Sequence, residues 1–215
     1  MNKETNKSNS TKIFRLFFIS LAALLLNIIT ALLALKLHLV IFLDTVFTVA
    51  LTFYAGLIPG LLAALFYNPI MTEILCLIHG KSFFIYDGLY CICGMLIVLI
   101  TWAFNKKRIF EESRTNTIFY LIIISFATAI ASCLCASLLD TFVRPLFGPA
   151  SGFGPTDTFS YSFTSLNFGD FLAYLLPRIP LTFLDRLIST FAAYSIYKLM
   201  YKFTAKKELS AKLES

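Results

Sequence analysis

The sequence predicts an all-α integral membrane bundle of about six transmembrane helices, with both termini on the cytoplasmic side of a cell membrane. Three observations carry this reading. Hydrophobic residues make up 58% of the 215-residue chain and charged residues only 14%, whereas soluble domains are about half apolar and a quarter charged. The apolar residues gather into long runs, and a helix needs roughly 20 of them to cross a hydrocarbon core of about 30 Å. Basic residues flank these runs asymmetrically, as membrane topology requires. The length leaves room for about six crossings, short connections and no sizeable soluble domain. The net charge of +6 follows the topology pattern, so no nucleic-acid partner is expected.

A basic leader occupies residues 1–13, with Lys3, Lys7 and Lys12, and Arg15 follows at the edge of the first apolar run. That run extends from Phe14 to about Leu37. It is too long for the core of a secretory signal, and no small-residue cleavage site interrupts it, so it reads as a retained first helix. The second helix is expected from about Leu39 to Leu57 and the third from Pro59 to Ile78. Gly56-Leu57-Ile58-Pro59-Gly60 punctuates the stretch between them. One long kinked helix is the alternative, but two crossings fit the length better. The fourth helix covers Phe83 to Phe104, the fifth Thr117 to Leu139 and the sixth Pro180 to Tyr201. The transmembrane domain therefore spans residues 14–203, and residues 204–215 form a cytoplasmic tail.

Lys and Arg set the orientation. With the N-terminus inside, Lys3, Lys7, Lys12, Arg15, Lys106, Lys107, Arg108, Arg114, Lys198, Lys202, Lys206, Lys207 and Lys212 fall inside. Only Lys36, Lys81, Arg144, Arg178 and Arg186 fall outside. Six crossings return the C-terminus to the side of this bias. One connection, residues 140–170, exceeds the 12–15 residues or so usual for a structureless loop. Its aromatic residues, Phe142, Phe147, Phe153, Phe159, Tyr161, Phe163 and Phe168, argue against disorder. It reads as an outer loop folded over the bundle, or as an interfacial loop with its rings in the headgroups.

Ionisable side chains at membrane depth cost about 2.5–3.5 kcal/mol on insertion scales and are functional candidates by default. Here they are Asp44, Glu73, Asp87, Asp140, Arg144, Asp170, Arg178, Asp185 and Arg186, all near outer helix ends or in outer connections. Such asymmetry suits a polar site open to the outside. Asp185 and Arg186, as helix neighbours, are expected to face different directions and to need partners on other elements; an Asp44–Arg186 bridge is one. The bland alternative is a set of helix-end residues reaching the headgroups.

The cysteines, Cys76, Cys91, Cys93, Cys133 and Cys135, lie in or beside apolar runs and read as free, small hydrophobes. Small residues four apart mark close helix contacts: Gly60 and Ala64, Ala127 and Ala131, Ser132 and Ala136, Ser189 and Ala193, and the polar-centred stripe Ala23, Asn27, Ala31. His38 and His79 form no metal-binding H-E-x-x-H arrangement, and neither a nucleophile elbow nor a phosphate-cradling loop occurs. No catalytic residue, metal or cofactor is assigned.

Five stretches bear a likeness to known proteins. Phe42-Leu43-Asp44-Thr45-Val46-Phe47-Thr48 is followed by Gly56-Leu57-Ile58-Pro59-Gly60 and by Ala63-Ala64-Leu65-Phe66-Tyr67-Asn68. Together with Pro177-Arg178-Ile179-Pro180 and Leu184-Asp185-Arg186-Leu187-Ile188-Ser189, this pattern resembles the substrate-specific S components of energy-coupling factor (ECF) transporters. The resemblance covers most of the chain in outline, with short motifs. It implies a six-helix protein that captures a vitamin or similar micronutrient from outside. It also implies docking onto a transmembrane scaffold with two cytoplasmic ATPases, without ATPase activity of its own. Members of the family often carry Ala-x-x-x-Ala on the first helix for that docking. Here the first helix has Ala23, Asn27 and Ala31, and the strict motif, Ala127 and Ala131, lies on the fifth. The candidate binding site gathers Asp44, Thr45, Thr48, Asn68, Asp87, Tyr90, Arg144, Arg178, Asp185 and Arg186. Both charge signs are present, which leaves the ligand's charge open. A membrane-embedded sensor without transport is the alternative function, and an integral membrane enzyme a third.

Overall fold

Apolar run length decides most of the helices. The computed structural model describes residues 3–39, 41–80, 83, 85–105, 113–147 and 169–213, and among these there are six helices and no strand. α1 is Lys3–Lys36, α2 is Val46–Ala55 and α3 is Leu57–His79. α4 is Ile85–Asn105 and α5 is Arg114–Phe147, and α6 is Asp170–Leu213. Four helices are long and apolar enough to span a membrane: α1 from Ile13, α3, α4 and α5. α6 has the length, at 44 residues, but interrupts its apolar run with Arg178, Asp185 and Arg186.

The largest departure from expectation is α2. A helix from Leu39 to Leu57 was predicted, yet α2 has only 10 residues, about 15 Å at 1.5 Å per residue and half a hydrocarbon core. The chain between α1 and α2 is irregular, with His38 at φ 51° and Leu43 at φ 50°, a left-handed backbone that non-glycine residues adopt only when surroundings hold it. Those surroundings are polar. The Thr30 hydroxyl donates to the Leu43 carbonyl at 3.0 Å, and the amides of Phe42 and Leu43 donate to the Asp185 carboxylate. A hydropathy reading registers only that this segment is apolar.

α2 begins without help from its own N-cap: Thr45 makes no side-chain capping bond. Asn27 of α1 serves instead. Its Oδ1 accepts the Phe47 amide at 2.9 Å, and its Nδ2 donates to the Thr48 hydroxyl at 2.6 Å. Free first-turn amides need such acceptors. α2 then ends at Gly56, whose φ of 88° and ψ of −161° belong to a region open essentially to glycine. The sharp break starts α3 at once, so the expected separation of the second and third helices at this Gly/Pro stretch holds.

Three further boundaries move, one of them the end of α6, which was expected at Tyr201 and lies at Leu213, within the predicted tail. α5 was expected to stop at Leu139 and instead passes through a π-helical turn, Leu139–Val143, before ending at Phe147. α6 was expected to start at Pro180 and instead begins at Asp170, with Pro177 and Pro180 inside it. Prolines are tolerated in membrane helices when neighbours satisfy the freed carbonyls. The first eight residues of the predicted outer loop, 140–147, and its last, Asp170, are therefore helix. Its expected fold over the bundle concerns residues 148–168, outside the described residues, as are Lys81 and Lys106, Lys107 and Arg108. The leader is likewise helical from Lys3.

α2 is the centre of the bundle, touching α1, α3, α4 and α6. Val46 and Thr48 through Phe53 are buried, as befits a helix apolar all round. Val49, Ala50 and Phe53 meet Ile97 of α4, Leu121 and Ile124 of α5 and Ala193 of α6. Ala23 of α1, Leu51 and Ala63 of α3 close a second contact, and Leu24, Ile28, Ala31, Tyr67 and Met71 a third. Small residues permit the approach: a Cβ on Gly60 would collide with the Thr52 side chain and come within 3.0 Å of Val98 Cγ1.

Replacing Gly60 with Leu should therefore push α3 from α2 and α4 and destabilise the protein by about 1–3 kcal/mol, the usual cost of overpacking. Thermal unfolding in detergent measures it; an unchanged midpoint would refute the packing described here.

Candidate functional site

The interior face of α6 carries the polar residues of the bundle's middle. Arg178, Thr182, Asp185 and Ser189 are spaced to lie along one side of a helix, and all are buried. Arg186 is adjacent and 5% exposed. Asp185 lies about 22 Å along the helix from Asp170, deeper than one and a half turns from a start at Pro180.

Two clusters form on this face. In the first, Asp185 Oδ1 accepts the amides of Phe42 and Leu43, both at 2.9 Å. Its Oδ2 pairs with Arg186 Nη2 at 2.8 Å. The same nitrogen reaches Asp44 Oδ1 at 3.0 Å, the ion pair expected from the sequence. Arg186 Nη1 donates to the Thr45 hydroxyl. The expectation that Asp185 and Arg186 point apart is corrected: the long arginine stem folds back to its neighbour. Each nevertheless has a partner on another element, as required of a buried charge.

The second cluster centres on Asp140, 2% exposed in the π turn of α5. Tyr86 and Tyr90 of α4 donate hydroxyls to its Oδ1 at 2.5 and 2.6 Å. Arg178 of α6 forms an ion pair with its Oδ2 and donates to the Tyr90 hydroxyl at 3.5 Å. Arg144, one helical turn on, stands 3.9 Å from Oδ1 and lies 5.7 Å from the Tyr174 ring centre. Three helices thus meet at one carboxylate.

Of the ten candidate binding residues, Asp44, Thr45, Asp185 and Arg186 join the first cluster, and Tyr90, Arg144 and Arg178 the second. Thr48 is occupied by Asn27 at the joint between α1 and α2. Asn68 is half-buried on α3 and enters neither cluster, and Asp87 is half-buried in the opening turn of α4. Sequence reasoning left Asp140 and Tyr86 out of the site. Their signal was spacing: Asp140 and Arg144, like Tyr86 and Tyr90, are four apart and share a helix face, but α5 was expected to have ended.

Of the residues assigned to partner docking, Ala23, Asn27 and Ala31 are buried within the chain, against α2 and α3. Small side chains there serve close internal packing. Ala127 and Ala131 on α5 are half-buried. The cysteines are free; Cys93 sits beside α5, its thiol 3.9 Å from the Ser132 carbonyl. At the opposite end, Arg15 donates to the Tyr54 hydroxyl at 3.3 Å, and that hydroxyl bonds Thr204 at 3.1 Å. A groove there is lined by Tyr194, Ser195, Lys198, Leu199, Tyr201 and Lys202.

No family model, curated protein or solved structure matches the chain. The reading of the site therefore stands on its chemistry: carboxylates, guanidiniums and phenols gathered inside apolar helices, without a nucleophile–base pair in either cluster. Among the described residues no group of three or more His, Cys, Asp and Glu is placed to hold a metal.

The two acids of the first cluster should differ sharply. Asp185→Ala leaves Arg186 with Asp44 as its remaining carboxylate and strands two backbone amides, and should cost about 3–5 kcal/mol. Asp44, with 23% of its side chain exposed, leaves Arg186 paired to Asp185 when replaced, and should cost less than half as much. Unfolding of the two variants in detergent checks the order; equal losses would remove Asp185 from its central place.

Proposed function

We propose that the chain is the membrane-embedded substrate-binding subunit of an ECF-type micronutrient importer. The observation that carries the proposal is the gathering of Arg178, Asp185 and Arg186 on the interior face of α6, with Asp140 of α5 paired to Arg178, all four buried. Charges at membrane depth are costly, and where they occur they usually mark substrate or ion pathways. The short α2, preceded by half-buried irregular backbone at residues 41–44, adds support, because discontinuous helices frame binding sites in other transporters. The sequence stretches around Asp44, Gly56 and Arg178 supply the family likeness.

In this reading six crossings place both termini in the cytoplasm of a cell-membrane protein, with α2 and its preceding segment making one crossing together. A small-molecule ligand enters from outside and meets the two clusters. Transport energy comes from two cytoplasmic ATPases through a transmembrane scaffold, and the chain itself catalyses nothing. With Ala23, Asn27 and Ala31 enclosed, docking falls to the face of α5 bearing Ala127 and Ala131. A membrane-embedded sensor without transport is the second reading. It is favoured by the internal ion pairs of Arg178 and Arg186, an arrangement suited to a two-state lock.

Affinity purification in mild detergent through a C-terminal tag tests the proposal. Recovery of a scaffold protein with two ATPases, reduced by Ala127→Leu and Ala131→Leu together, is the expected result. Recovery of none, while a known S component from the same membranes keeps its partners, would sink the importer reading in favour of the sensor.

A further inference from the structure

Asp140 is served by more donors than a structural carboxylate requires. Two phenols reach Oδ1, one guanidinium pairs with Oδ2 and a second waits at 3.9 Å, beyond hydrogen-bond distance. Guanidiniums and hydroxyls converging from three helices form the donor set that recognises carboxylate and phosphate. The occupant is the chain's own side chain, and it rides on the π turn Leu139–Val143. A π turn holds one residue more than an α turn, and such bulges gather at functional sites. Arg144 is half-buried just beyond that turn, 3.9 Å from Asp140 Oδ1.

The geometry points to Asp140 as an internal stand-in for a ligand's anionic group, which replaces it among Tyr86, Tyr90, Arg144 and Arg178. The inference rests on the substrate-binding reading and narrows the ligand to a molecule bearing a carboxylate or phosphate. Exchange of one anion for another keeps Arg178 neutralised throughout, which matters because an unpaired buried charge costs several kcal/mol. Shift of the π turn gives Asp140 a route out of the nest. It also gives the empty protein a closed state, because Asp140 returns when the ligand leaves. An uncharged ligand would gain nothing from displacing it.

The test uses the purified full chain in detergent, with acetate and inorganic phosphate as probes and sodium chloride at matched ionic strength as the reference. Thermal unfolding is followed against probe concentration. In the wild type, at least one probe should raise the midpoint above the chloride reference. Asp140→Asn keeps the shape and removes the competing charge, so half-saturation should fall at least about tenfold. Arg144→Gln should weaken the wild-type response several-fold. A response to acetate alone assigns a carboxylate ligand, and a response to phosphate alone a phosphoryl one. Chloride matching both probes, or Asp140→Asn responding no better than wild type, would overturn the inference. If Asp140→Asn does not fold, equal responses of wild type and Arg144→Gln overturn it. No ATPase takes part, so this result is independent of the co-purification that tests the importer reading.

Discussion

The architecture depends on one carboxylate. Asp185, fully buried, takes two backbone amides on one oxygen and a guanidinium on the other. Non-helical backbone survives inside a membrane only when its polar groups are satisfied by protein or by a water-filled cavity. Phe42 and Leu43 meet that condition through Asp185, and Thr30 completes it on the carbonyl side. Because the segment can be irregular there, α2 can start halfway down the bundle, and its short apolar cylinder can occupy the centre. Without the carboxylate, residues 41–45 would have to be helical or move to the surface. Either change would displace α2 from the four helices it touches.

A helix with two buried arginines is a poor membrane span by hydropathy, yet here each arginine is paired. α6 carries Arg178 and Arg186 eight residues apart, about 12 Å along the axis, and each meets its anion on another helix or on the irregular segment. The pairs exist only when α2, α4 and α5 are in place, so the charges reward one assembled arrangement and penalise others. That is the sense in which buried ion pairs specify a structure more than they stabilise it, a role established for register in other systems. The small-residue contacts act in the same direction. Gly60 admits one approach to Thr52 and Val98, and Ala23 and Ala63 admit another against Leu51.

Legibility in the sequence followed the physics of each signal. Apolar runs and Gly/Pro punctuation are local, so the helical class, the cores of α1, α3 and α4, and the break at Gly56 could be read directly. The cost of intramembrane charge is also local, and it marked Asp44, Arg178, Asp185 and Arg186 before any geometry was known; even the Asp44–Arg186 pair followed from matching depth. What could not be read depended on groups distant in the chain. The loss of half of α2 is decided by Asp185, more than 140 residues away. The extension of α5 through Asp140 is tied to Tyr86, Tyr90 and Arg178. Proline misled at α6, because Pro177 and Pro180 look like a helix start to a rule about isolated helices and lie inside one here. The stripe on α1 shows a further limit: small spacing reports a close contact but not whose helix makes it, and within the chain α2 and α3 pack here.

The two ends of the bundle share α2 and α6, and this links the clusters to the opposite face. α2 is held at its start by Asn27, and its carbonyl at Phe53 accepts from Asn105 of α4 at 3.3 Å. Tyr54 beside it joins Arg15 of α1 to Thr204 of α6. α6 therefore bonds to α2's surroundings at both ends, through Arg186 above and Thr204 below, and it alone among the helices contributes to both charged clusters. A change of partner at Arg178 acts on a continuous helix whose far end is tied to α1 and α2. Packed cores resist gradual deformation and favour discrete alternatives, so such a change is best accommodated as a shift of α6 along its length. The ion pairs and the tyrosine bridge then report on one body, and the distance between them is spanned by helix rather than by any chain of loops.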